Sequence, residues 1–193
     1  MDRAPAYGAG GYRFDPCLAR QVISSPPMSN FDKIFMLETL KLARQAAEQD
    51  EVPVGAVITF KNKIIARAYN QVEMLKDPTA HAEMIAITQA TNHLSCKWLQ
   101  DCMLYVTIEP CSMCAGALVL ARIKRLCFGA SDEKAGACGS VVNITQNKKL
   151  NHRIEVKKGI LAQECGQLMT EFFRKKRGKK KYVKKVAAPA YQS

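Results

Sequence analysis

The chain is 193 residues long, the length of one domain with modest tails. Hydrophobic residues make up 48% and charged residues 24%, which argues against wholesale disorder or a coiled coil, and no apolar run approaches the ~18 residues of a membrane helix. The 29 Lys and Arg against 17 Asp and Glu leave a net charge of +12, so a polyanion, most simply a nucleic acid, is the first partner to expect.

Residues 1–28 hold Pro5, Gly8, Gly10, Gly11, Pro16, Pro26 and Pro27 without an apolar period. They read as a flexible N-terminal extension, with Met28 an alternative start. Arg3, Arg13 and Arg20 fit a transit peptide, but Asp2 and Asp15 do not. Ser29 can cap a helix from Asn30 to about Glu48, in which Met36, Leu40, Ala43 and Ala47 recur at helical spacing. Val54 to Phe60 and Lys63 to Tyr69 are rich in β-branched residues and flank Lys61-Asn62, the pattern of a hairpin. Asp77-Pro78-Thr79 signals a helix start, and the helix is expected over Ala80 to Thr91. Cys102 to Ile108 reads as a strand, Cys111 to Ala121 as a short helix opened by Pro110, and Ile123 to Phe128 as a further strand. Residues 130–152 are irregular, with Gly136, Gly139 and Asn143; Arg153 to Val156 is a short strand and Ile160 to about Lys176 a last helix. Helices alternating with strands after one hairpin predict an α/β fold, a mixed five-stranded sheet covered on both faces. The organisation expected is an extension over 1–28, a domain over 29–177 and a basic C-terminal tail over 178–193.

The charge is concentrated at that end. Nine cations and no acid lie between Arg174 and Lys185, which takes nine of the twelve net charges and leaves +3 for the rest. The run is either a solvated terminus or an arm that neutralises phosphates, and its part past Gly178 is expected to be largely disordered in the free protein. The eight cysteines follow no secretory segment. Cys111 and Cys114 form a C-x-x-C, while the other six read as small free hydrophobes in a reducing cytoplasm.

Two segments carry chemistry, His81-Ala82-Glu83 and Pro110-Cys111-Ser112-Met113-Cys114, and each opens a predicted helix. Singly they are weak. Together, with 27 residues from Glu83 to Pro110, they match the H-x-E…P-C-x-x-C signature of zinc-dependent nucleobase deaminases. Cys111 and Cys114 at i and i+3 share a helix face, and a helix N-terminus favours the thiolates that bind metal. With His81 they make three ligands, leaving one tetrahedral position for a water whose pKa zinc lowers to ~7. Glu83 is then the general acid and base. His81 and Glu83 at i and i+2 lie ~200° apart on an ideal helix, so the metal is expected off the helix end, with two helix N-termini converging on it. A redox C-x-x-C would lack the partnered H-x-E, and a purely structural zinc would want a fourth ligand such as His93 or His152.

Beyond the signature, the chain resembles the tRNA-specific adenosine deaminases (the TadA family) from roughly Phe31 to Arg177. The resemblance is carried by Val52-Pro53-Val54-Gly55-Ala56-Val57, Asn70, Asp77 to Glu83, Leu104 to Thr107, Glu109 to Ala117 and Phe128-Gly129-Ala130. Asn151-His152-Arg153, Gly159-Ile160-Leu161 and Phe172-Phe173-Arg174 extend it. It implies a cytidine-deaminase-like three-layer α/β/α sandwich, and hydrolytic deamination of adenosine to inosine at the wobble position (34) of a tRNA anticodon. His81, Cys111 and Cys114 would hold one zinc per chain and Glu83 would move the proton. Asn70 would contact the flipped base, or else end its strand as a turn residue. Phe173 and Arg174 would lie near RNA, with Phe173 equally readable as core; Asn151 is either an RNA contact or loop structure. The partners implied are the anticodon stem-loop and a second copy of the chain, in the cytoplasm. The alternatives are a deaminase of guanine or cytosine, and a non-catalytic RNA-binding subunit of the same fold.

Overall fold

The structure, a computed structural model, describes residues 29–186, so the extension read over 1–28 lies outside the described residues. The elements are α1 (Ser29–Glu48), β1 (Gly55–Phe60), β2 (Lys63–Tyr69), a one-turn α2 (Val72–Leu75), α3 (Ala82–Leu94), β3 (Cys102–Ile108), α4 (Ser112–Leu120), β4 (Arg125–Ala130), β5 (Glu155–Lys158) and α5 (Ala162–Val186). The sheet order is β2-β1-β3-β4-β5. β1 runs antiparallel to both β2 and β3, whereas β3, β4 and β5 are parallel. One end of the sheet therefore collects the start of β1, the end of β2 and the carboxyl ends of β3, β4 and β5.

Alternation along the central strands builds the layers. Ala56, Ile58, Leu104, Val106, Leu126 and Phe128 pack with Ala82, Ala86 and Ala90 of α3 and with Ala115 and Leu118 of α4. The residues between them, Val57, Tyr105 and Cys127, face the other way onto Phe35, Met36 and Leu40 of α1 and Cys165 of α5. The result is the expected three-layer α/β/α sandwich. Gly55 permits the close approach of α1, since a Cβ there would stand 2.8 Å from the Ala43 amide nitrogen. Buried Asp32 ties the layers: it accepts hydrogen bonds from the Tyr105 hydroxyl of β3 (2.8 Å) and from Lys157 Nζ of β5 (2.6 Å).

Three differences from the sequence reading have physical causes. The short α2 has no periodic pattern to reveal it, and a distant side chain meets it, the Glu51 carboxylate accepting from the Met74 amide (2.7 Å). α3 and α4 begin at Ala82 and Ser112, after His81 and Cys111, because both of those residues are extended. α5 does not stop near Lys176, nor is the stretch from Gly178 to Val186 disordered: the helix continues to Val186, and residues 187–193 lie outside the described residues. One interior glycine costs only about 1 kcal/mol, and the lysines around it are good helix formers. Cys102, Cys127, Cys138 and Cys165 are buried free thiols as expected, with burial pushing the first three up to about 12 and Cys165 to about 11. Cys96 departs from that reading, being disulfide-bonded.

Candidate active site

The strand ends described above bring two helix starts together. His81 is the N-cap of α3 (φ −73°, ψ 150°) and Cys111 the N-cap of α4 (φ −70°, ψ 175°). Neither side chain caps its own helix. Ser, Thr, Asn or Asp would stabilise such a position by about 1 kcal/mol, so both helices forgo that contribution and turn their first residue to another use. His81 Nδ1 lies 3.7 Å from Cys111 Sγ and 3.5 Å from Cys114 Sγ. Among the described residues these three form the one cluster of ligand atoms able to hold a metal ion, all within 4.8 Å of one another. The offset of His81 from Glu83 is resolved as the i, i+2 geometry requires: the cluster sits off the helix ends, and both N-termini point at it.

The donor set fits zinc. With bonds of ~2.3 Å to sulfur and ~2.0 Å to nitrogen, a tetrahedral ion separates a nitrogen from a sulfur by about 3.5 Å, close to the distances observed. The protonation pattern agrees. Cys111 is lowered to about 3, first by the hydrogen bond from the Cys114 thiol and then by His81. Cys114 is raised, because it holds the proton shared with Cys111 and because it is buried. The hydrogen bond to Cys111 also raises the His81 imidazole. A thiolate, a thiol and an imidazole pressed together are a site prepared for a cation, which displaces the protons.

Glu83, in the first turn of α3, is 3% exposed. Burial pushes its carboxyl above the usual range, against opposing backbone, His81 and Cys114 contributions. It is hydrogen-bonded to the Cys114 side chain, which places the carboxyl group beside the ligand cluster.

Of the other predicted residues, Asn70 is buried just past the end of β2, at the same end of the sheet. Its neighbour Gln71 donates its amide to the Ala80 carbonyl (3.0 Å), holding this turn against the residue before His81. Asn70 Nδ2 donates to Glu51 (3.2 Å). On α5, Phe172 is buried and Phe173 exposed, so the core reading applies to the first phenylalanine and not the second. Arg174 is exposed as well, and Lys176 pairs with Asp50 in the α1–β1 turn (3.8 Å), which sets this stretch at the cluster's end of the sheet. A cavity of about 610 Å³ between α1 and α5, lined by Asp50, Phe172 and Lys175 among others, shares no residue with the cluster. Asn151 is not brought near it. Asn151 is exposed in the loop entering β5, where His152 Nε2 meets the Ile123 carbonyl (2.7 Å), at the opposite end of the sheet.

Besides Asp32, two buried carboxylates escaped the sequence reading of individual residues. Glu51 links Asn70 to α2, and Glu109 receives the loop that follows β4. The available signal was an acid set among apolar residues next to a proline at a strand end, as in Thr107-Ile108-Glu109-Pro110.

The MafB19-like deaminase family model matches residues 29–177. A tRNA-specific adenosine deaminase of Bacillus subtilis is 46% identical over 154 residues, covering 80% of this chain and 96% of that protein. One from Aquifex aeolicus is 50% identical over 143 residues, covering 74% and 94%. The chain belongs to the tRNA-specific adenosine deaminase family. A solved structure of this family, from work on A-to-I editing by tRNA:A34 deaminases, is 42% identical with a TM-score of 0.68, covering 70% of this chain and 98% of that one. A guanine deaminase from Nitrosomonas europaea shares the cytidine-deaminase-like fold at 23% identity and a TM-score of 0.64, covering 89% and 97%.

Proposed function

We propose that the protein hydrolytically deaminates adenosine to inosine at the wobble position (34) of tRNA, releasing ammonia, with zinc held by His81, Cys111 and Cys114. The observation that carries the reading is the meeting of these three side chains at two helix N-termini with the buried Glu83 beside them. The membership in a tRNA deaminase family supplies the substrate.

When bound, zinc supplies a water acidic enough to be hydroxide near neutral pH. The chain's own residues do the rest. Glu83 would take a proton from the attacking water and pass it to the departing nitrogen; its raised pKa suits a group that must hold and release a proton in one cycle. Burial of Glu83 and Cys114 keeps bulk water from competing for that proton. Asn70 is proposed to contact the flipped base. Its amide, fixed by Glu51 at one hydrogen, retains a second hydrogen and an oxygen for that purpose. The exposed Phe173 and Arg174 on α5 are proposed to meet the anticodon stem-loop, an aromatic for stacking and a cation for phosphate. The partner subunit is proposed to be a second copy of this chain. No helix among the described residues is long and apolar enough to cross a membrane, and work on tRNA fits a cytoplasmic protein.

The test is sequencing of tRNA after incubation with the zinc-loaded protein, where inosine at position 34 reads as guanosine. An anticodon stem-loop should also be converted, because a loop base can be flipped at a cost of only a few kcal/mol. Free adenosine and duplex RNA should react little. Equal turnover of free nucleoside would move the assignment to nucleotide salvage, and turnover of guanine to the other branch of the fold.

A further inference from the structure

Glu109 follows β3 directly and is 2% exposed. A buried carboxylate is costly unless donors or cations surround it, and no ion pair to Glu109 occurs among the described residues. Its donors come from one loop instead. Oε1 accepts from the amides of Cys138 (2.9 Å) and Ser140 (3.0 Å). Oε2 accepts from the Asp132 amide (3.2 Å) and the Ser140 hydroxyl. Gly136 completes the cradle: a Cβ there would stand 2.6 Å from Glu109 Cδ and 2.7 Å from Oε2. The loop is therefore shaped around this one side chain.

The same loop leans on the metal-ligand segment. Gly136 pairs with Cys111 in a β-bridge, and the Ala137 amide donates to the Pro110 carbonyl (2.8 Å). The amides of Val141 and Val142 both donate to the Gly136 carbonyl, and Gly139 closes the turn with a φ of +132°. Val141 and Val142 are consequently presented to solvent, 53% and 49% exposed, from a turn anchored at the residue that bridges Cys111. Exposed apolar side chains on a rigid turn beside a reaction centre are suited to cover the face of a flipped base.

We propose that Glu109 is the positioning residue of the substrate wall: its carboxylate gathers residues 132–140 so that Val141 and Val142 stand preformed beside the Cys111 side of the site. Glu109 does not touch the reacting atoms. It lowers the ordering cost of substrate binding, because the wall exists before the nucleotide arrives. This rests on the deaminase reading above.

The experiment compares wild type, Glu109→Gln, Val141→Ala/Val142→Ala and the combination, all zinc-loaded. Glutamine keeps the shape but turns an NH2 group toward amide donors. For Glu109→Gln, KM for an anticodon stem-loop with adenosine at position 34 should rise at least about tenfold, with kcat within about threefold. Zinc content, and the absorption of the cobalt-substituted protein, should be unchanged. Hydrogen exchange of the Cys138 and Ser140 amides should accelerate. The double valine variant should raise KM in the wild-type background and add nothing in the Glu109→Gln background, because the wall is already disordered there. Unchanged exchange, multiplicative effects on KM, or a fall in kcat that tracks loss of metal would each overturn the proposal. Should Glu109→Gln not fold, Ser140→Ala removes one donor alone and should move KM and exchange in the same direction; no movement in either overturns it. A wild type inactive on the stem-loop would instead remove the deaminase reading, while the exchange result still judges Glu109.

Discussion

His81 and Cys111 occupy the same position on two different helices: each is an extended N-cap that leaves its own helix uncapped, and their side chains meet at 3.7 Å. The relationship places two positive helix ends on one point, where both dipoles favour thiolate. It also means that α3 and α4 are joined at their starts by the ligand cluster, so metal binding and tertiary structure reinforce each other.

Removing a ligand should therefore cost both metal and stability. Cys111→Ala is expected to bind less than about a tenth of the wild-type zinc at equal total metal and to melt at lower temperature, since binding free energy adds to folding free energy. Metal analysis with calorimetry checks this. A chelator should lower the melting temperature of the wild type and leave that of Cys111→Ala nearly unmoved.

Glu83 makes a different prediction because it is not a ligand. Glu83→Gln should retain one zinc per chain and the wild-type tRNA affinity, yet lose turnover by about 10²–10⁴-fold, the range for a positioned acid–base group. Single-turnover kinetics on an anticodon stem-loop measure it. Near-normal turnover would remove Glu83 from the proton path.

The Asp32 network should matter for stability and not for chemistry. Asp32→Ala leaves the buried Tyr105 hydroxyl only the weak Met103 Sδ acceptor and removes the Lys157 ion pair. The expected loss is about 1–3 kcal/mol in denaturant unfolding of the zinc-loaded protein, with kcat unchanged. Tyr105→Phe removes the donor while leaving Asp32 its Lys157 partner, and should cost less.

The lysine run tests whether α5 reaches RNA. Truncation after Arg177 removes Lys179, Lys180, Lys181, Lys184 and Lys185 together with the end of a helix. It should weaken tRNA binding and flatten the slope of log K against log salt, by roughly 0.7–0.9 for each phosphate no longer neutralised, while kcat at saturating tRNA holds. Superimposable salt titrations would make the run a solvated terminus.

The local features are legible in the amino-acid sequence itself. The hairpin around Lys61-Asn62, the helix starts and the ligand set His81, Cys111 and Cys114 depend on residues a few positions apart, where propensity, capping and ligand spacing act. Even the placement of the cluster off the helix ends follows, because an i, i+2 pair cannot share one helical face.

Tertiary structure decided what depends on long-range pairing. Which of Phe172 and Phe173 is buried was set by the packing of α5 across the sheet, not by their identical chemistry. Asn151 went to the far end of the sheet because β5 runs parallel to β4, so the loop before β5 lies at the strands' amino ends. Glu109 and Glu51 acquired partners 23 to 31 and 19 to 23 residues away. In sequence such acids look like surface charge. Only the fold brings together the donors that make a buried carboxylate tolerable, and most of them are backbone amides, which no side-chain pattern records.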